Sequence, residues 1–179
     1  TSSFVAGHVW GKKGPNLFLL DREYGHMHVP ATQEALRRLS AKWPGAYGKL
    51  IEDKANGPAV VQTLRHEVPG LLLVNPGRNS KYARAQAVAY LQHAHNIWLP
   101  ARTLAPWVED YIEHMARFPA PPDDDTDAST QAWLRLMPAQ PAKDPRRDAI
   151  AQRDALRMQQ QRALRQQPRR GRVFSRTRA

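Results

Sequence analysis

Cysteine is absent from the 179 residues, which excludes a disulfide framework and any thiolate metal site and fits a reducing compartment. No apolar run reaches eighteen residues, so no segment reads as a membrane span. The opening residues also lack the pattern of a secretory signal. The seven histidines are scattered without a His-x-x-x-His spacing, so no zinc site is written in the sequence. Gly11-Lys12-Lys13-Gly14 lacks the spacing and the following Lys-Ser/Thr of a phosphate loop. Acidic residues are missing at the start, none preceding Asp21.

Positive charge is plentiful but unevenly placed. The formal charge is +11, and from Pro138 onward 12 Lys and Arg stand against 3 Asp, leaving only +2 for residues 1–137. Residues 138–145 form a Pro/Ala-rich linker. Residues 146–167 are Arg, Gln and Ala with only Ile150, Leu156, Met158 and Leu164 as larger apolar side chains, too few to bury a core. The sequence thus predicts a folded body over 1–137 and, over 138–179, an exposed arm, helical or disordered. The arm ends in Arg169, Arg170 and Arg172, followed by Arg176 and Arg178. Such an arm points to a polyanionic partner, most simply nucleic acid, or else to a solubilising end.

The body reads as α/β. Phe4 to Trp10 and Leu17 to Tyr24 flank a turn signal, Gly11-Lys12-Lys13-Gly14-Pro15-Asn16, and predict a β-hairpin. Leu36, Leu39 and Trp43 outline a helix that Pro44-Gly45 stops. Leu50-Ile51 is a short strand running into Glu52-Asp53, then Asn56-Gly57 and a helix from about Pro58 to Val68. Leu71 to Val74 is a continuous apolar run, as expected of a strand buried on both faces and parallel to its neighbour. Lys81, Arg84, Val88 and Leu91 begin an amphipathic helix, and Ile97 to Pro100 a short edge segment. Trp107, Tyr111, Ile112 and Met115 sit at helical spacing and read as core.

Two acidic clusters carry the chemistry. Glu52 and Asp53 end a strand, where open α/β sheets meet ligands, although a solvated strand end needs no ligand. Asp53 alternates away from Glu52 along the strand. Asp123-Asp124-Asp125-Thr126-Asp127 follows Pro119-Ala120-Pro121-Pro122 and opens a helix through Trp133 and Leu136. Asp123 or Asp124 can cap that helix, but a cap accounts for one carboxylate and not four. Asp124 and Asp127, three apart, share a face and can offer paired carboxylates to a metal. Lys81 and Arg84 read either as an exposed helix face or as phosphate contacts beside the acids.

Taken together, Glu52-Asp53-Lys54-Ala55-Asn56-Gly57 and Asp123-Asp124-x-x-Asp127-Ala128 resemble the second and third acidic motifs of the nuclease domain of tailed-phage large terminases, in the RNase H-like superfamily. The resemblance runs from about Thr1 to about Leu136, through Asn75-Pro76, Lys81 with Arg84, Trp98-Leu99-Pro100, Trp107 and Phe118-Pro119. It implies an RNase H-like mixed sheet, an antiparallel hairpin plus parallel strands flanked by helices. It implies a two-ion Mg²⁺ or Mn²⁺ endonuclease with Glu52, Asp124 and Asp127 as catalytic carboxylates, and Glu52, Asp123, Asp124 and Asp127 as candidate metal ligands, Asp124 favoured over Asp123. It implies double-stranded DNA, a portal protein and a small terminase subunit as partners, in the cytoplasm of a bacterial host. Lys81, Arg84, Arg169, Arg170 and Arg172 are the expected DNA contacts.

The family's first acidic motif lies on a strand just upstream of the hairpin. The expectation is that this ligand, most of a central strand and the ATPase motor lie outside the chain, which alone should then cut DNA poorly. Two other readings stay open: another RNase H-like nuclease such as a resolvase or transposase, and a non-catalytic module that binds DNA or a portal.

Overall fold

The computed structural model describes residues 3–137, together with Arg153, Arg157 and Met158. The remainder of the basic arm, including Arg169, Arg170 and Arg172, lies outside the described residues. Of the three described arm residues, all helical, Met158 is 60% exposed.

Strands β1 (Ser3–Lys13) and β2 (Asn16–Met27) form the expected hairpin. Gly14 at the turn has φ +59°, in the left-handed region that glycine enters without steric cost. The register is interrupted once: Trp10 pairs with Leu19 but Val9 with Asp21, so Leu20 is the extra residue of a β-bulge. Because side chains alternate, this one residue turns Asp21 and Arg22 over and sets Arg22 opposite His8. The edge segment β5 (Ile97–Trp98) adds to β2 in parallel, giving a mixed sheet in the order β1-β2-β5.

Helix α1 (Val29–Lys42) leads to β3 (Lys49–Glu52), α2 (Gly57–Leu64) and β4 (Leu71–Val74), with β3 and β4 parallel as expected. They pair only with each other among the described residues, as a second sheet not bonded to the hairpin. The double burial expected of β4 is not met: Leu72 and Leu73 are each 44% exposed. The physical reason is cover, because Leu71 packs on the Val60, Leu64 and Val68 cluster while Leu72 and Leu73 stay open to solvent.

Helices α3 (Lys81–His93), α4 (Val108–Arg117) and α5 (Asp124–Leu136) complete the body. A second cluster, Leu17, Val88, Leu91 and Trp133, joins β2, α3 and α5, with Trp10 edge-on to Trp133 at 5.5 Å. In α4 the buried face is Val108, Tyr111 and His114, whereas Ile112, expected in the core, is 41% exposed. The principal packing partners of α5 are α3, β1 and α4, so its first turn is held between the hairpin and two helices.

Candidate active site

Four aspartates crowd the start of α5, and the fold treats each differently. Asp123 occupies the N-cap position, but its side chain makes no capping hydrogen bond, contrary to the capping expectation. Its Oδ1 accepts instead from Lys81 Nζ at 2.8 Å. Lys81 lies on the first turn of α3, which Ser80 caps by accepting from the Ala83 amide. Burial opposes the charge on Lys81, but Asp123, and behind it Asp127 and Asp124, raise its pKa above the ordinary lysine value.

Asp127, one turn on, is buried, and its Oδ1 accepts from Arg84 Nη2 at 2.5 Å. Arg84 also donates to the Asn79 carbonyl at 2.7 Å, and its side chain is only 7% exposed. Arg84 is therefore not on an exposed face. Burying Asp127 requires a counter-charge, which Arg84 supplies, with Lys81 Nζ as a second cation 3.8 Å from Asp127 Oδ2.

Asp125 is fully buried and is the best-bonded of the four. Arg22 donates to it from Nε at 3.0 Å and from Nη2 at 2.5 Å, a two-pronged contact. His8 Nε2 donates to Oδ1 at 2.8 Å, and His114 Nδ1 to Oδ2 at 2.6 Å. Burial alone would raise this carboxyl, but the bonds from His8, Arg22 and His114 outweigh it and hold the pKa well below the carboxylate range. Burial moves His8 the other way, lowering its pKa against the pull of Asp125, so His8 is neutral with its proton on Nε2. Its Nδ1 then accepts from Ser129 Oγ at 3.2 Å, and Ser129 meets the Tyr111 hydroxyl at 3.0 Å.

Ser129, His8 and Asp125 have the residue types of a hydrolase triad. Ser129 is 0% exposed, however, so no substrate carbonyl reaches its hydroxyl, and the trio is a buried bonding network.

Asp124 is what remains. It is partly buried and makes no ion pair and no hydrogen bond to another side chain among the described residues. Burial pushes its carboxyl up; Lys81 opposes the rise, and Asp123 and Asp125 add to it.

Glu52 ends β3, where the Asp53 amide donates to the Val74 carbonyl at 2.9 Å and continues the ladder by one residue. Its carboxylate lies 3.2 Å from Lys54 Nζ and is a third exposed. The turn after it is tight: a Cβ on Gly57 would lie 2.0 Å from the Glu52 carbonyl oxygen, so α2 can start there only with glycine. β3 is not among the principal packing partners of α5.

Carboxylate oxygens at Glu52, Asp123, Asp124 and Asp127 fit a hard divalent ion in kind, and Asp124, without an ion pair of its own, fits one in charge. They do not converge: among the described residues no three His, Asp or Glu side chains form a group that could hold a metal. Sequence reasoning named Asp123, Asp124, Asp127, Lys81 and Arg84, which the structure brings together around the start of α5. It missed Asp125, Arg22, His8 and His114. The one available signal was the hairpin, which makes His8 and Arg22 neighbours only through the bulge at Leu20.

No curated protein matches the chain. A family model described as a terminase RNaseH-like domain matches residues 1–136. It covers the hairpin, both sheets, the acidic end of β3 and the whole of α5. By that match the chain belongs to the terminase RNase H-like domain family.

Proposed function

We propose that this chain is the nuclease domain of a tailed-phage terminase large subunit, an endonuclease that cuts concatemeric double-stranded DNA during genome packaging in the host cytoplasm. The observation that supports this most is the state of Asp124. Its cluster-mates are each engaged by a cation or a donor at short range, while Asp124 is partly buried with no side-chain partner of its own, and burial outweighs the pull of Lys81 on it. A group left in that condition costs stability and is characteristic of functional sites.

In this reading Asp124 and Glu52 are the carboxylates that would hold Mg²⁺ or Mn²⁺. Asp123 is the next donor, because its partner Lys81 keeps a side chain 39% exposed. The bound ions would activate water and offset charge on the leaving oxygen. Asp127 serves as the anchor of α5 on Arg84. Lys81 faces both the acids and solvent, so it is the α3 residue placed to meet a phosphate. The portal and the small terminase subunit are the further proposed partners, with the arm around Arg169, Arg170 and Arg172 contacting DNA.

A second reading, a non-catalytic DNA- or portal-binding module, draws on the failure of three carboxylates to converge. Melting the protein in rising Mn²⁺ separates the two. The expected result is a rise of about 2.7 kcal/mol in stability at a hundred times the dissociation constant, absent in Asp124→Ala and weakened in Glu52→Ala. A melting curve indifferent to millimolar Mn²⁺ would favour the binding module.

A further inference from the structure

The α5 start has no side-chain cap, yet its first turn is fixed from four directions. Lys81 and Arg84 reach it from α3, His8 from β1, Arg22 from β2 and His114 from α4. The tethers differ in depth. The Lys81 pair is half-exposed, whereas Asp125 and the Arg22 side chain, 3% exposed, are sealed from water. A buried, two-pronged guanidinium–carboxylate contact fixes both distance and orientation, which a single ammonium does not. Arg22 is itself held: its Nη1 donates to Asp110 at 2.8 Å and its guanidinium carbon stands 4.3 Å over the Tyr24 ring.

We propose that Asp125, clamped by Arg22, His8 and His114, is a positioning residue that sets the rotation of the first turn of α5 and so aims the adjacent carboxylate of Asp124. This rests on the reading of Asp124 as the working carboxylate. Consecutive helical residues point about 100° apart, so locking Asp125 inward fixes where Asp124 emerges. The bulge at Leu20 belongs to the same device, because in the register before it His8 would face Asp21 and Arg22 would turn off this face.

The test is the Mn²⁺ midpoint of the thermal-shift titration on the full chain, which needs no turnover. Asp125→Asn leaves Arg22 charged and buried, which is strongly destabilising, and it also removes a negative charge near the site. The decisive variant is therefore the charge-balanced pair Arg22→Met with Asp125→Leu, since an apolar replacement of a buried ion pair is often tolerated. The expected outcome is a midpoint raised at least about tenfold, on the order of 1.4 kcal/mol, with a cooperative melt retained. His114→Phe, which keeps a ring but removes one donor, should raise it less. A double variant that folds and keeps the wild-type midpoint would show Asp125 to be structural only, and would overturn the proposal. If the double variant does not fold, His114→Phe decides, an unchanged midpoint again overturning it. A wild-type midpoint that Asp124→Ala does not alter would instead sink the reading of Asp124, and the inference with it.

Discussion

Asp124 has no side-chain partner of its own, and burial outweighs the pull of Lys81 on its charge, which makes a prediction with a definite sign. Its carboxyl pKa is raised on folding, first by burial. An acid with a raised folded pKa contributes nothing adverse below its unfolded value of about 4 and costs stability as pH climbs through the folded one. Asp124→Asn should therefore melt higher than wild type at pH 7 without metal, and the gain should vanish near pH 3. A lower melting temperature at pH 7 would mean that Lys81 more than repays the burial. Asp125 and His8 work in the opposite direction, since both have folded pKa values below their unfolded ones. Their contribution is present above about pH 6.5 for His8 and about pH 4 for Asp125, and it is lost as pH falls. Acidification from pH 7 to 5 should lower the melting temperature, by about 3 °C for each 1 kcal/mol lost. His8→Gln should flatten that part of the curve and leave the steeper loss below pH 4. An identical profile in His8→Gln would remove His8 as its source.

At the scale of elements, the turn from β3 into α2 is where local sequence governs the site most directly. The helix starts so close to the strand that a methyl group on Gly57 would also meet Ile51 Cγ2 at 3.3 Å, besides the Glu52 carbonyl. Gly57→Ala should cost about 1–3 kcal/mol, as overpacking does, and weaken the Mn²⁺ response through the displaced Glu52. A melting temperature within a degree of wild type would show that the turn yields freely. This turn was legible, because Asn-Gly after a short apolar strand has few other meanings. So were the hairpin, the parallel pair and the order of the helices, each announced by local punctuation. Exposure was not legible: Leu71 to Val74 reads as a doubly buried strand, and only the placement of α2 decides that Leu72 and Leu73 are open. Nor was the clamp legible, since His8 and Asp125 lie 117 positions apart and meet through a bulge that no turn residue marks. The acidic run at 123–127 was visible as a run, but which member is anchored and which is left without a side-chain partner depends on neighbours from four other elements.

Across the whole molecule, charge and core are segregated. Residues 138–179 hold +9 of the +11 formal charge, while the two described apolar clusters draw their members from residues 10–137. The family match likewise ends at residue 136. If the arm binds DNA it acts on phosphates, and each neutralised phosphate contributes roughly −0.9 to the slope of log affinity against log salt. Residues 1–137 alone should then bind more weakly than the full chain at low salt, with a shallower slope and the same loss on unrelated sequences. The melting temperature should be almost unchanged, because the arm lacks the apolar side chains to contribute to a core. The competing partner is the portal, for which the arm would be read by a protein surface rather than by a polyanion. Binding of both chains to two unrelated duplexes at low and high salt distinguishes them. Equal affinities and equal slopes would take DNA away as the arm's partner and leave a protein surface as the ligand for its arginines.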